Sequence, residues 1–261
     1  MHYLTDGRSA RAGLHAPLHP SKTVDTSVLL RRLEAIAEPT AEEWLVLSSL
    51  PGTIKEYRAH QDIVRVGERP SVVCLMLEGM TCRYKVSADG KRQIMSFHIR
   101  GDIPDLQSLF IDTMDHSLAA LVNSTVLAIP HEKMCSIVDN YPRIAHLLWR
   151  ETLIDAALFR EWIVMRDRPA YARVAHLLCE QFLRMQAVGL ASVNTCPLPI
   201  TQVQIGEALG LSNVHVNRTL MELRGQELIV LENGTLTIPD WDRLREAGEF
   251  DPLYLHLRRA A

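Results

Sequence analysis

The chain has 261 residues, 47% of them hydrophobic, and a formal net charge of −3. That length supports one large or two ordinary domains with real cores, and the hydrophobic content excludes a largely disordered chain. No apolar run approaches the roughly 20 residues needed to span a bilayer, and the opening MHYLTDGRSARAGLHAPLHPSK lacks the apolar stretch of a secretory leader, so a cytoplasmic protein without a membrane partner is expected.

Residues 1–25 are rich in His, Pro, Ser and small side chains without periodicity and read as a flexible arm. SVLLRRLEAIA, from Ser27 to Ala37, places Leu29, Leu30, Leu33 and Ile36 on one side of a helix. PTAEEWLVLSSL reads as a second helix, with Thr40 as N-cap and Glu43 completing a capping box.

From Ile54 the pattern changes to short β-rich runs, DIVRVG, VVCLMLEG, TCRYKVS, RQIMSFHI, SLAALV and TVLAIP, separated by turn residues. Asp89-Gly90 in the middle is a strong hairpin signal. Six or more antiparallel strands at this spacing suit a small barrel or jelly roll.

After Pro130 the signal turns helical, first over HEKMCSIVDN and then over a long helix from Pro142 to about Asp167, stopped by Pro169. Leu147, Ile154, Leu158 and Met165 recur on it at seven, four and seven residues. This spacing suits a seam against another helix, from a second copy of the chain, or packing of one helix on its own β domain, since Glu151 and Glu161 interrupt the stripe. RPAYARVAHLLCEQFLRM restarts a helix at Pro169, which makes RDRP a hinge, and ASVNTCPLP is a loop into the last module.

In TQVQIGEALG, Thr201 and Gln204 form another capping box, Ile205, Ala208 and Leu209 face inward, and Gly210 ends the helix. Ser212 caps the next helix, so two helices meet through a short Gly-containing turn, as in a helix-turn-helix. On the second helix Val216, Leu220 and Leu223 point inward, which leaves Asn213, Val214, Asn217, Arg218 and Met221 outward. Such a face matches base edges: Arg bonds guanine, Asn bonds adenine and Val touches a thymine methyl. LIVLENGTLTIP then makes a hairpin at Asn233-Gly234, a wing able to touch flanking phosphates. From residue 160 onward, eleven Lys/Arg stand against twelve Asp/Glu, so the module is not basic overall and only a local patch could serve.

Other chemistries find little support. The motifs GxxxxGK[ST], GxSxG, HExxH and GxGxxG are absent, and HEKMC only begins like a zinc-protease motif. The pairs Asp102/Asp105 and Asp112/Asp115 read as turn formers. No catalytic residue is assigned, and no enzyme is expected. Five cysteines, Cys74, Cys82, Cys135, Cys179 and Cys196, form no CxxC pair and leave an odd number, against both a disulfide framework and a metal site.

ITQVQIGEALGLSNVHVNRTLMELR with its wing resembles the DNA-binding domain of the Crp/Fnr family of bacterial transcription regulators, and VRVGERPSVVCLMLEGMTCRYK resembles the family's cyclic-nucleotide-binding-type β-roll. The resemblance covers most of the chain. It implies an α+β fold: an N-terminal antiparallel, jelly-roll-like β-roll sensor domain, a long dimerisation helix and a C-terminal winged helix-turn-helix. The division expected is an arm at 1–25, the β-roll at 26–140, the dimerisation helix and hinge at 141–168 and the DNA-binding domain at 169–261.

Carried over residue by residue, the base-reading positions fall on Asn213, Val214 and Arg218, with Asn217 on the same face; Thr201, Gln202 and Ser212 fall at phosphate-contacting positions. His215 stands beside them and reaches a base, a phosphate or solvent. Val214 replaces the Glu of the best-known members and cannot accept from cytosine, so their half-site is not assumed.

The effector cassette departs further. In GDIPDLQSLFIDTMDHSL, Leu106 stands where cyclic-nucleotide binders have Glu, His116-Ser117 replaces Arg-Ser, and Asp105 and Asp115 add negative charge. Neither cyclic AMP nor cyclic GMP is expected to bind, and the arm lacks the Cys ligands of an iron–sulfur sensor. Haem has no spacing signature here, and the sequence requires no cofactor. Asp105, Leu106, His116 and Ser117 mark an effector pocket for an unidentified small molecule. Double-stranded DNA, a second copy and RNA polymerase are the implied partners. The competing expectation is a ligand-binding or protein-interaction module whose C-terminal helices do not read DNA.

Overall fold

The computed structural model describes residues 26–258; the arm expected at residues 1–25 lies outside the described residues. Helices α1 (Ser27–Glu34) and α2 (Ala41–Leu47) open the fold. Leu29, Leu30, Leu33 and Ile36 are all buried, as their spacing requires. At the start of α2 the Thr40 hydroxyl accepts from the Glu43 N–H and the Glu43 carboxylate accepts from the Thr40 N–H at 2.7 Å, so both halves of the capping box are made.

The β region forms two antiparallel sheets. One is three-stranded in the order β1 (Thr53–Tyr57), β7 (Ser124–Pro130), β3 (Val72–Glu78); the other is four-stranded in the order β2 (Asp62–Val64), β6 (Ser117–Ala120), β4 (Thr81–Val86), β5 (Arg92–His98). Val73 and Leu75 on β3 pair with Ile129 and Leu127 on β7, and all four are buried in the main core, while Cys74, Met76 and Val126 are buried in a separate cluster, so both strands are covered on both faces. Strands β4 and β5 are a hairpin around Asp89-Gly90, with a five-residue connection rather than the two-residue one the dipeptide favours.

Helix α3 (His131–Asn140) leads to the long α4 (Pro142–Val164), which ends in a short 3-10 turn, Met165–Asp167. Arg168 is extended and Pro169 caps α5 (Ala170–Ala187). On α4 and the 3-10 turn that follows it, the stripe Leu147, Ile154, Leu158 and Met165 is buried within the chain itself, so these residues pack inside the chain, the second of the two alternatives their spacing allowed. A different stripe faces outward. Trp149 is 64% exposed, Leu153 55% and Ile163 67%, and with the half-buried Ala156 they recur at four, three and seven residues. Glu151, which interrupts the buried stripe, is ion-paired with Arg32 of α1 at 3.0 Å.

The last module comprises β8 (Thr195–Pro197), α6 (Gln202–Leu209), α7 (Asn213–Gly225), β9 (Val230–Glu232), β10 (Thr235–Thr237) and α8 (Trp241–Ala247), with its strands in the order β8-β10-β9. Strand β8 lies in the stretch expected to be a loop. Buried apolar side chains form one continuous cluster from α1 through the β-roll and α4 into this module. A 3-10 turn, Pro252–Leu255, brings the chain back, and the backbone N–H of Arg258 donates to Ala35 O beyond the end of α1 at 2.8 Å. Among the described residues no helix is long and apolar enough to cross a membrane.

Candidate nucleic-acid interface

Helix α6 starts where Thr201 accepts from the Gln204 N–H and Gln204 accepts from the Thr201 N–H at 2.8 Å. It stops at Gly210, whose φ of 64° and ψ of 38° are left-handed, a conformation that costs other L-residues about 1–2 kcal/mol. Ser212 then caps α7 by accepting from the His215 N–H. The helices are held close. A Cβ on Gly206 would lie 2.6 Å from Leu211 O, the carbonyl in the turn between them.

Val216, Thr219, Leu220 and Leu223 of α7 are buried, while Asn213, Val214, Asn217, Arg218 and Met221 are exposed. Thr219 was not anticipated on the inner face. His215 is half-buried. Val214 is 82% exposed, an apolar tip that nothing in the chain covers. Asn217 donates its side-chain amide to Gln202 Oε1 at 3.1 Å, so these two candidates sit together across the helix pair. Arg218 makes no hydrogen bond or ion pair among the described residues, which leaves its guanidinium free for a ligand. The caps Thr201 and Ser212 are both exposed, at helix N-termini that favour anions.

After α7, Asn233 (φ 50°) and Gly234 (φ 72°) form the two-residue turn between β9 and β10, with Glu232 opposite Thr235. Two positive φ values are what a type I′ hairpin needs. Leu198 N–H donates to Gly234 O at 2.6 Å, which anchors the wing to the body of the module.

Residues 172–247 match the Crp-like helix-turn-helix domain, and residues 54–141 match the cyclic nucleotide-binding domain. The structure of FixK2 from Bradyrhizobium japonicum is similar at a TM-score of 0.69 and 25% identity, covering 76% of this chain and 98% of that one. The chain belongs to the Crp/Fnr family. Among curated Crp/Fnr relatives, the transcriptional activator protein FnrL of Cereibacter sphaeroides is 24% identical over 229 residues, 84% of this chain and 90% of the relative. The transcriptional activator protein Anr of Pseudomonas protegens is 25% identical over 182 residues, 68% of this chain and 73% of the relative. Like other members of the Crp/Fnr family, this chain is a transcription regulator with a DNA-binding helix-turn-helix, and not an enzyme.

The residues expected to mark an effector pocket, Asp105, Leu106, His116 and Ser117, meet partners within the chain. Asp105 is buried and its carboxylate accepts from the Cys74 N–H at 2.7 Å, which fastens the loop to β3. Leu106 is buried at the start of a 3-10 turn, Leu106–Leu109. His116 Nδ1 contacts Asp115 at 2.6 Å, and the Ser117 hydroxyl accepts from the Val66 N–H at 3.0 Å. His116 comes near Gln107 of that 3-10 turn, whereas Asp105 is committed to β3. The four candidates therefore do not converge as one set.

A buried cation tied to this segment is Arg83 on β4, absent from the expected site residues. Its guanidinium donates to Pro104 O at 2.7 Å and to Asp155 of α4 at 2.7 Å. Asp102 is held well below the usual carboxylate range, its burial outweighed by Arg184, His98 and Arg32. Burial drives Glu151 the other way, up to about 7, against the pull of Arg32. Arg32, Asp102, Glu151 and Arg184 are far apart in sequence, so no local motif could have announced their pairing.

Proposed function

We propose that this chain is a homodimeric, sequence-specific transcription regulator that inserts α7 into successive major grooves of a palindromic DNA site. The observation that carries this reading is the α7 face: an unpaired Arg218, Asn213, Asn217 and an uncovered Val214 are all exposed, and Asn217 bonds Gln202 of the capped α6. Arg218 offers a fork to guanine O6 and N7, the asparagines to adenine, and Val214 a contact to a thymine methyl. Thr201, Gln202 and Ser212 contact phosphates, with His215 at the edge of the surface.

The dimer is proposed to form along the outward stripe of α4, Trp149, Leu153, Ala156 and Ile163, whose alternating spacing of four and three continues through Arg160. The functional units proposed are the β-roll at 26–140, helix and hinge at 141–168 and the DNA-binding domain at 169–261. RNA polymerase is the further partner, and the cytoplasm the compartment.

The signal is neither cyclic AMP or cyclic GMP nor an iron–sulfur cluster. Arg83 is already paired with Asp155, and Asp105 and Asp115 place carboxyl groups in the same segment, both of which act against a cyclic phosphate. The cysteines sit on separate elements, β3, β4, α3, α5 and β8. Burial raises the thiols of Cys82 and Cys196 to about 11 and that of Cys179 to about 12, which disfavours the thiolates that ligate iron.

Selection of duplexes from a random pool by the purified full chain tests the reading. A palindromic consensus recovered without any added nucleotide supports it; a pool that stays random favours an interaction module instead.

A further inference from the structure

A cleft of about 230 Å³ opens where β5, the end of α4, α5 and α6 meet. Its walls are apolar, from Ile94, Phe159, Trp162, Met165 and Leu209. Trp162 turns its indole N–H away, to Glu180 at 2.8 Å, and so presents ring carbon to the cleft. The polar groups at the rim are Gln93 and two arginines, Arg166 and Arg173, and no carboxylate belongs to the described residues that line it. Arg166 has no hydrogen bond or ion pair among the described residues. Arg173 donates one NH group to Leu209 O at 2.8 Å, but its Nε is buried without a partner. Burial and the neighbouring Arg166 both act against the charge on Arg173, which is the condition an arriving anion relieves.

We propose that this cleft binds a small amphipathic organic anion: a carboxylate spans Arg166 and the free edge of Arg173, and an aromatic or aliphatic body lies against Phe159, Trp162 and Met165. A guanidinium with an unused Nε edge suits a bidentate carboxylate, and a mostly apolar pocket with a few convergent polar groups suits a small molecule. The site is separate from the cassette around Leu106 and His116.

Its far wall is the first helix of the helix-turn-helix. Gln93 of β5 donates to Ala208 O at 3.1 Å and Arg173 of α5 to Leu209 O at 2.8 Å, so the rim of the cleft ties the end of α6 both to the β-roll and to α5. That an occupant shifts DNA affinity rests on the function proposed above; that it binds does not.

The test uses the purified full chain and two fluorescent probes, dansylglycine, an aromatic body with one carboxylate, and dansylamide, nearly the same body without the charge. Dansylglycine is expected to bind with energy transfer from tryptophan, and about tenfold more tightly than dansylamide, the scale of one charge-assisted contact. Arg173→Gln should weaken it about tenfold and Arg166→Gln about threefold; Arg166, exposed and unpaired, can be changed without disturbing the fold. A second apolar pocket under Phe110 and Trp149 is the competing site, and Phe110→Ser should leave binding unchanged. Equal affinity for the two probes, binding indifferent to both arginines, loss of binding in Phe110→Ser, or no binding of dansylglycine up to about 100 μM (the −5.5 kcal/mol level) overturns the proposal.

Discussion

Arg184 on α5 donates to Asp102, in the loop after β5, at 2.8 Å, and both side chains are almost fully buried. The helix that leads into the DNA-binding module is thereby pinned to the β-roll. Arg32 of α1 meets the same carboxylate at 3.2 Å, and the Ile99 N–H donates to it at 3.0 Å. Asp102 thus joins N-terminal helix, β-roll and C-terminal module at one point.

Removing one partner of such a buried pair leaves a charge uncompensated. Arg184→Met is expected to lower unfolding free energy by about 3 kcal/mol, the low end for a broken buried pair because Arg32 remains. Urea denaturation of the full chain measures it, and an unchanged midpoint contradicts the pinning role.

Gly206 predicts a second loss. Its added Cβ would meet Leu211 O at 2.6 Å, a backbone atom that cannot swing aside. Gly206→Ala should cost about 1–3 kcal/mol through overpacking and weaken DNA binding with it. Gly210→Ala has open space around its Cβ and should lose only the left-handed backbone cost of about 1–2 kcal/mol. Paired thermal melts separate the two.

The pH dependence follows from two buried histidines, His176 and His98, both depressed to about 4. Burial, chiefly, and Arg168 depress His176 to about 4 from 6.5, with Gly248 O, Tyr254 and the Glu161 carboxylate, 3.8 Å away, also beside the ring. The unfolded chain therefore binds the proton more readily, and the stability present above pH 6.5 is lost as pH falls toward 4, by about 2 kcal/mol for each histidine at pH 5. Glu151, raised to about 7, acts with the opposite sign between 4.5 and 7. Asp102 has a depressed pKa, so it loses its share only below about 3.8. Comparing wild type with His176→Gln by urea melts at pH 8 and pH 5 isolates His176: the variant should show the smaller acid loss.

The outward α4 stripe makes a prediction of its own. Leu153→Glu should convert a dimer to a monomer in sedimentation velocity while leaving the far-UV circular dichroism unchanged, because Leu153 is 55% exposed in the single chain. A variant that sediments as wild type removes Leu153 from the interface.

Local signals were legible from the residues. Thr40/Glu43 and Thr201/Gln204 are made as capping boxes, and Asn233-Gly234 turns the wing as its composition requires. What escaped was set by tertiary structure. Strand β8 is three residues ending in Pro197 and gains its identity only by pairing with β10. Helix α4 is apolar on two sides, so periodicity alone found Leu147, Ile154, Leu158 and Met165 but not which side is buried within the chain. The Asp102 hub joins Arg32, Asp102 and Arg184, too distant in sequence to leave a motif. The expected effector residues divide for the same reason, since Asp105 is held by Cys74 of a distant strand.

The central claim is that the α7 face reads bases, and Arg218 tests it most directly. On the duplex recovered by selection, binding of wild type and Arg218→Ala is compared across every single base-pair substitution by fluorescence anisotropy at fixed salt. The account predicts a loss of about 1–3 kcal/mol per half-site contact, with discrimination abolished at one base pair in each half-site and kept elsewhere. A variant that binds the site with wild-type affinity and the same base preferences would contradict it.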